Sequence, residues 1–144
     1  MGGYGAFKWL LSKPEQFIGG ASLSGALDIF SRVKKILSEE PNRMAARTLE
    51  LAFGKQTAEG NPNDLFHLAQ CCSEKASLPG MLQICGTEDF LYQDNLVFKK
   101  MAEDAGLPLS YLERPGEHEW GFWDVAIQDV LAWLPKQGFG KRSD

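Results

Sequence analysis

The sequence has no basic surplus to offer a phosphate backbone. Its 15 lysines and arginines are outnumbered by 19 acidic residues, for a net charge of −4, which argues against nucleic acid as the main partner. It has no apolar run approaching the roughly 20 residues a membrane helix needs. Its first residues are Gly-rich and lack the charged and apolar regions of a signal peptide. Cysteine is sparse: Cys71, Cys72 and Cys85 are the only three. Adjacent cysteines rarely bridge each other, and no Cys-x-x-Cys or Cys/His metal spacing occurs, so neither a disulfide framework nor a metal site is expected. The three read as buried small apolar residues of a cytoplasmic protein. Histidine is scarcer still, with His67 and His118 alone.

What is present suits one soluble domain with a core: 144 residues, 44% hydrophobic and 24% charged. Met1-Gly2-Gly3-Tyr4-Gly5-Ala6 runs without lead-in strand or cap into an apparent helix that ends at Lys13-Pro14. Such a start reads as a chain cut into the middle of a fold. Phe17 to Leu23 reads as a strand, crowded by neighbouring backbone at Gly19-Gly20-Ala21. Asp28 is placed to N-cap a helix with Ile29, Phe30, Val33, Ile36 and Leu37 on one face. A second helix is expected from Asn42 to Phe53, stopping at Gly54.

Asn61-Pro62 would open the next helix, with Pro62 at its first position and Leu65, Leu68, Ala69 and Cys72 on its apolar side. His67 points away from that side and reads as a surface histidine. Pro79 to Cys85 reads as a buried strand, and a helix marked by Val97, Phe98, Met101, Ala102 and Ala105 follows it. Leu109 to Glu113 alternates as a strand would. Beyond a turn, Trp120, Trp123, Ile127, Val130, Leu131 and Leu134 form the clearest helical stripe in the chain. Residues 1–135 are thus read as folded domain and 136–144 as polar tail. Strands alternating with helices at this spacing imply an α/β architecture, parallel strands joined by crossover helices.

In an open parallel sheet, active residues gather in loops beyond the carboxyl ends of the strands. Asp89 lies just past one expected strand, delivered by Gly86-Thr87-Glu88, and His118 lies just past the next, within Arg114-Pro115-Gly116-Glu117-His118-Glu119-Trp120. Neighbouring parallel strands would bring this carboxylate and imidazole to one edge. That is the arrangement of a hydrolytic triad, in which an acid orients a histidine that takes a proton from a nucleophile. Glu88, Asp94 and Glu117 are the competing carboxylates. A capping aspartate and a turn histidine would give the same spacing without chemistry. Phe122 stands near the histidine and could face either the core or a substrate.

Met1-Gly2-Gly3-Tyr4-Gly5-Ala6 looks like the second part of a Gly-x-Ser-Met-Gly-Gly-Tyr-Gly-Ala nucleophile elbow. With Ser22-Leu23-Ser24-Gly25-Ala26-Leu27-Asp28, Gly86-Thr87-Glu88-Asp89-Phe90 and Pro115-Gly116-Glu117-His118-Glu119-Trp120, it resembles the esterase D-like carboxylesterases. That family includes tributyrin and acetyl esterases and is related to S-formylglutathione hydrolases. The resemblance spans nearly the whole chain and corresponds to the C-terminal half of such an enzyme. It implies a partial α/β-hydrolase fold with the N-terminal half of the sheet missing.

The resemblance also assigns roles. Asp89 matches the triad acid and His118 the general base. Met1 matches the residue whose backbone N–H serves the oxyanion hole, and the nucleophilic serine would stand one place before it. That serine is absent from the chain. Ser22 and Ser24 lack the Gly-x-Ser-x-Gly frame that exposes a nucleophile and read as loop hydrogen-bonders. The implied function is hydrolysis of short-chain acyl esters by the complete protein through a Ser-Asp-His triad, with no metal or organic cofactor; lacking the serine, the chain by itself is expected to be inactive. The alternative is a non-catalytic interaction module of α/β-hydrolase ancestry. Its first strand would lack a neighbour, and that edge could pair with a second copy of the chain.

Overall fold

The computed structural model describes residues 1–29, 31, 43–53, 61–73 and 77–140. Helix α1 spans Gly2–Ser12 and buries Tyr4, Phe7, Leu10 and Leu11, the spacing that places side chains on one face. Its first turn closes as the Gly5 N–H donates to the Met1 carbonyl at 3.0 Å. Pro14 follows in a 3-10 turn, Pro14–Gln16, since proline cannot continue the ladder.

Strand β1, Gly19–Leu23, is built of small residues because helices press on both of its faces. A Cβ on Gly20 would stand 2.7 Å from Leu10 Cδ1, and one on Gly19 would stand 2.7 Å from the Trp133 ring. Strand β2, Gly80–Gly86, is central and buried throughout from Met81 onward. Strand β3 is Leu109–Arg114. The order is β1-β2-β3 and all pairing is parallel, with Leu23 opposite Ile84 and Gly86 opposite Arg114. The carboxyl ends of the three strands therefore share one edge of the sheet.

Four further helices complete the described chain: α2, Arg43–Phe53; α3, Leu65–Ser73; α4, Tyr92–Asp104; and α5, Trp120–Trp133. On one face of the sheet, Met81 packs with Phe7, Leu10 and Leu11 of α1, Leu65 and Ala69 of α3, and Phe98 and Ala102 of α4. Phe98 meets Phe7 at 5.6 Å and Phe66 edge-on at 5.9 Å between ring centroids. Each of these large side chains contributes about 1.5–3 kcal/mol by leaving water. On the other face, Leu82 and Ile84 pack against Phe122, Ala126 and Val130 of α5. The expected α/β architecture is present, with a buried parallel strand covered on both faces.

Several local expectations need correction. The helix expected to open at Pro62 begins at Leu65, because Asn61 and Asp64 build turns: Asn61 Oδ1 accepts from the Asn63 N–H at 2.8 Å, and Asp64 Oδ1 from the Phe66 N–H at 3.0 Å. Cys71 is exposed rather than buried, whereas Cys72 and Cys85 are buried as expected. The stripe on α5 is borne out in part: Val130 faces the sheet with Trp123 and Leu134 packed beside it, but Phe122 and Ala126 join it there, while Trp120 is 83% exposed and Ile127 and Leu131 are exposed as well. The polar tail expected from Lys136 begins inside a 3-10 turn, Leu134–Gln137, whose Gln137 lies against Gly80. Asp28 Oδ1 accepts from the Ser31 N–H at 3.3 Å, as a cap would. Most of the helix beyond it, and the stop at Gly54, lie outside the described residues.

Candidate active site

The loops after β2 and β3 are sewn together by their backbones. The Thr87 N–H donates to the Arg114 carbonyl at 3.0 Å, and the Glu88 N–H to the Gly116 carbonyl at 3.1 Å. Gly86 and Gly116 make this approach possible. A Cβ on Gly86 would lie 2.7 Å from the Gly116 carbonyl carbon and closer still to its oxygen. Gly116 itself has φ +150 and leaves space where a Cβ would meet the Phe122 ring at 2.5 Å. Arg114, at the end of β3, pairs with Asp129 of α5 and fixes the histidine loop from below.

Asp89 follows as the head of a turn into α4. Its side chain is fully buried, and Oδ1 accepts from the Leu91 N–H at 2.8 Å. Oδ2 faces His118 Nδ1 at 2.9 Å. Of the carboxylates weighed from sequence, Asp89 is the one on the imidazole, while Glu88 and Glu117 are exposed. With one oxygen taken by a backbone N–H, the other is oriented to accept from Nδ1–H. This sets the tautomer that leaves the Nε2 lone pair available as a base.

The imidazole is also held by rings. Phe90 stands 4.7 Å and Trp123 4.8 Å from it between centroids, the latter edge to face, and Trp120 in turn meets Trp123 at 5.3 Å. Phe90 of the acid loop was not singled out by sequence reasoning, although it directly follows Asp89. Phe122 is buried against Gly116 and does not face the cleft.

A cleft of about 430 Å³ opens beside His118, lined by Met1, Gly2, Gly3, Ala21, Leu23, Ser24, Trp120 and Trp123. The first turn of α1 and the histidine therefore border one space. Gly3 closes on the loop after β1, where a Cβ would stand 2.9 Å from Gly25 Cα and overlap Ser22 Oγ. Ser22 Oγ is thus wedged between the backbones of Gly3 and Gly25, without the loop hydrogen bond expected of it. Ser24 takes φ +48, a left-handed conformation uncommon for a residue with a Cβ. Behind the acid, burial and then the charge of Asp89 push the Cys85 thiol up to about 12, so it is neutral and inert. No group of three metal-ligating side chains occurs among the described residues, and no helix there is long and apolar enough to cross a membrane.

Comparison with known proteins agrees with this architecture. No protein-family model matches the chain. An acetyl esterase of Caldicellulosiruptor saccharolyticus is 32% identical over 139 residues, covering 94% of this chain and 52% of that protein. The S-formylglutathione hydrolase FrmB of Staphylococcus aureus superposes with a TM-score of 0.73 at 28% identity, covering 93% of this chain and 51% of that one. FphF, a fluorophosphonate-binding serine hydrolase of the same organism, gives a TM-score of 0.75 at 29% identity, covering 92% and 50%. The chain spans about half the length of each. By sequence and by fold it is similar to about half of an acetyl esterase and of an S-formylglutathione hydrolase.

Proposed function

We propose that this chain carries the acid and base of a serine carboxylesterase, corresponding to the C-terminal half of a protein that hydrolyses short-chain acyl esters. The observation that carries the reading is the buried Asp89 carboxylate at 2.9 Å from His118 Nδ1, with the imidazole bordering a cleft that the first turn of α1 closes. The nucleophilic serine is assigned to the position directly before Met1. His118 Nε2 takes the hydroxyl proton as the oxygen attacks the acyl carbon, then returns it to the departing alcohol; the cycle repeats with water. Asp89 holds the tautomer and stabilises the imidazolium. The Met1 backbone N–H, at the N-terminus of α1, is suited to face the oxyanion.

Hydrolysis of p-nitrophenyl acetate by the complete protein, with the serine before Met1 in place, tests the reading. His118→Ala is expected to lower kcat by about 10²–10⁴-fold. Equal rates in the wild type and the variant would overturn it. A stop codon directly upstream of Met1 in the coding DNA would remove the nucleophile and overturn it equally.

One observation favours a second reading, a non-catalytic module that assembles through its sheet edge. β1 pairs only with β2 and is the outer strand of the described sheet. Beside it, Leu23, Trp120, Trp123 and Ile127 line an apolar groove of about 530 Å³. Such an edge is a template for pairing with a second copy. A monodisperse monomer in light scattering would count against that assembly.

A further inference from the structure

We propose that Asn95 is a positioning residue for the Asp89–His118 pair, an inference that rests on the esterase reading above. Asn95 lies one turn into α4 and is fully buried. Its Nδ2 donates to the Leu91 carbonyl and to the Gly25 carbonyl, each at 2.9 Å. Its Oδ1 accepts from Gln83 Nε2 at 3.0 Å, and Gln83 Nε2 also reaches the Asn95 carbonyl at 2.8 Å. The carboxamide therefore uses both of its protons and one of its acceptors on three separate segments.

Those segments are the ones that frame the site. Leu91 is the residue whose N–H holds Asp89 Oδ1. Gly25 is the residue that Gly3 of α1 closes upon. Gln83 is on the central strand that delivers the acid loop. One side chain thus ties the carboxylate's own anchor to the loop beneath the first turn of α1. Leucine has nearly the same size but cannot donate to either carbonyl. Losing the side chain leaves the buried Gly25 carbonyl without this donor, while the Leu91 carbonyl keeps only its helical bond from the Asn95 N–H at 3.0 Å. The turn that carries the Leu91 N–H is then held less firmly, and Asp89 with it.

The test reads the imidazole and does not need turnover. A proton held between His118 Nδ1 and a buried carboxylate gives a downfield, slowly exchanging resonance in the NMR spectrum. The chain has two histidines, so His67→Gln assigns it. In Asn95→Leu the resonance is expected to disappear or to exchange at least about tenfold faster, as the loss of one buried hydrogen bond implies, while amide dispersion shows a folded chain. Gln83→Leu removes the partner on the other side of Asn95. It is expected to lower Tm yet keep the resonance, which separates positioning from a general loss of stability.

A resonance retained in Asn95→Leu with the wild-type exchange rate overturns the proposal, as does its loss in Gln83→Leu to the same degree. Should the leucine variant not fold, Asn95→Ser is too short to reach both carbonyls and is read by the same criterion. Ester hydrolysis that ignores His118→Ala would sink the esterase reading alone, because the imidazole resonance still decides what Asn95 holds.

Discussion

Gly86 and Gly116 meet backbone to backbone, so that the strand end bearing Asp89 and the turn bearing His118 have no side chain between them. The 2.9 Å acid–imidazole contact depends on that approach as much as on the two functional residues.

Gly86→Ala is therefore expected to damage the site more than its size implies. The new methyl overlaps the Gly116 carbonyl, and the listener to that strain is the Glu88 N–H bond to the same carbonyl. Overpacking at such a contact costs about 1–3 kcal/mol. The expected result is a lower Tm together with loss of the downfield His118 resonance. An unchanged Tm would show that the two loops can separate freely.

Phe90 separates ring packing from stability. It is 64% exposed, yet its ring lies 4.7 Å from the imidazole. Phe90→Ala should leave Tm nearly unchanged while freeing one face of His118. An aromatic contact worth about 0.5–1.5 kcal/mol corresponds to a loss in kcat of up to about tenfold. A large fall in Tm with unaltered kcat would place Phe90 in the fold and not in the site.

The three cysteines differ in environment, and alkylation should rank them. Cys71 is exposed and lies 3.6 Å from His67 Nε2. Cys72 is buried with its thiol on the Leu11 carbonyl at 2.8 Å. Cys85 is buried and pushed up to about 12 by desolvation and by Asp89, so no thiolate is present at neutral pH. Iodoacetamide followed by mass spectrometry should give one adduct on the native chain, at Cys71, and all three in guanidinium. Native labelling of Cys85 would show that the strand beneath Asp89 opens.

The parts of this molecule that follow from local chemistry were legible in its sequence. Alternation of strand and helix, the order of the acid and the histidine, and the choice of Asp89 over Glu88 rest on spacing alone. The turn of α5 toward Phe122 was not legible, because tryptophan, isoleucine and leucine at helical spacing describe a stripe whichever neighbour covers it. Phe122 and Ala126 join the expected Val130 against the sheet, since Gly116 leaves room for one ring and α5 follows from there. Asn95 was missed, although a glutamine inside Met81-Leu82-Gln83-Ile84-Cys85 carried a signal. A polar residue in a fully buried strand requires a buried partner. Pro62 misled because the Asn61 and Asp64 side chains bond nearby backbone and hold turns ahead of α3.

Tyr4 sets the last expectation, for behaviour at high pH. It is buried on α1, and its hydroxyl donates to the Asn63 carbonyl at 2.6 Å, joining α1 to the turn before α3. Burial, and then the nearby charge of Asp64, push its hydroxyl up to about 12. An acid whose folded value lies above its ordinary one binds its proton more tightly when folded. Its contribution is complete below the ordinary tyrosine range near pH 10 and is lost as pH rises toward 12. Tyr111 is raised in the same direction, chiefly by burial. Urea midpoints should therefore hold steady up to about pH 9 and fall steeply between 10 and 12. Tyr4→Phe should lower the neutral-pH midpoint through loss of one hydrogen bond, about 1 kcal/mol, while flattening that alkaline decline. A variant as steep as the wild type would assign the alkaline transition to Tyr111 and the raised Cys85 thiol, and detach Tyr4 from it.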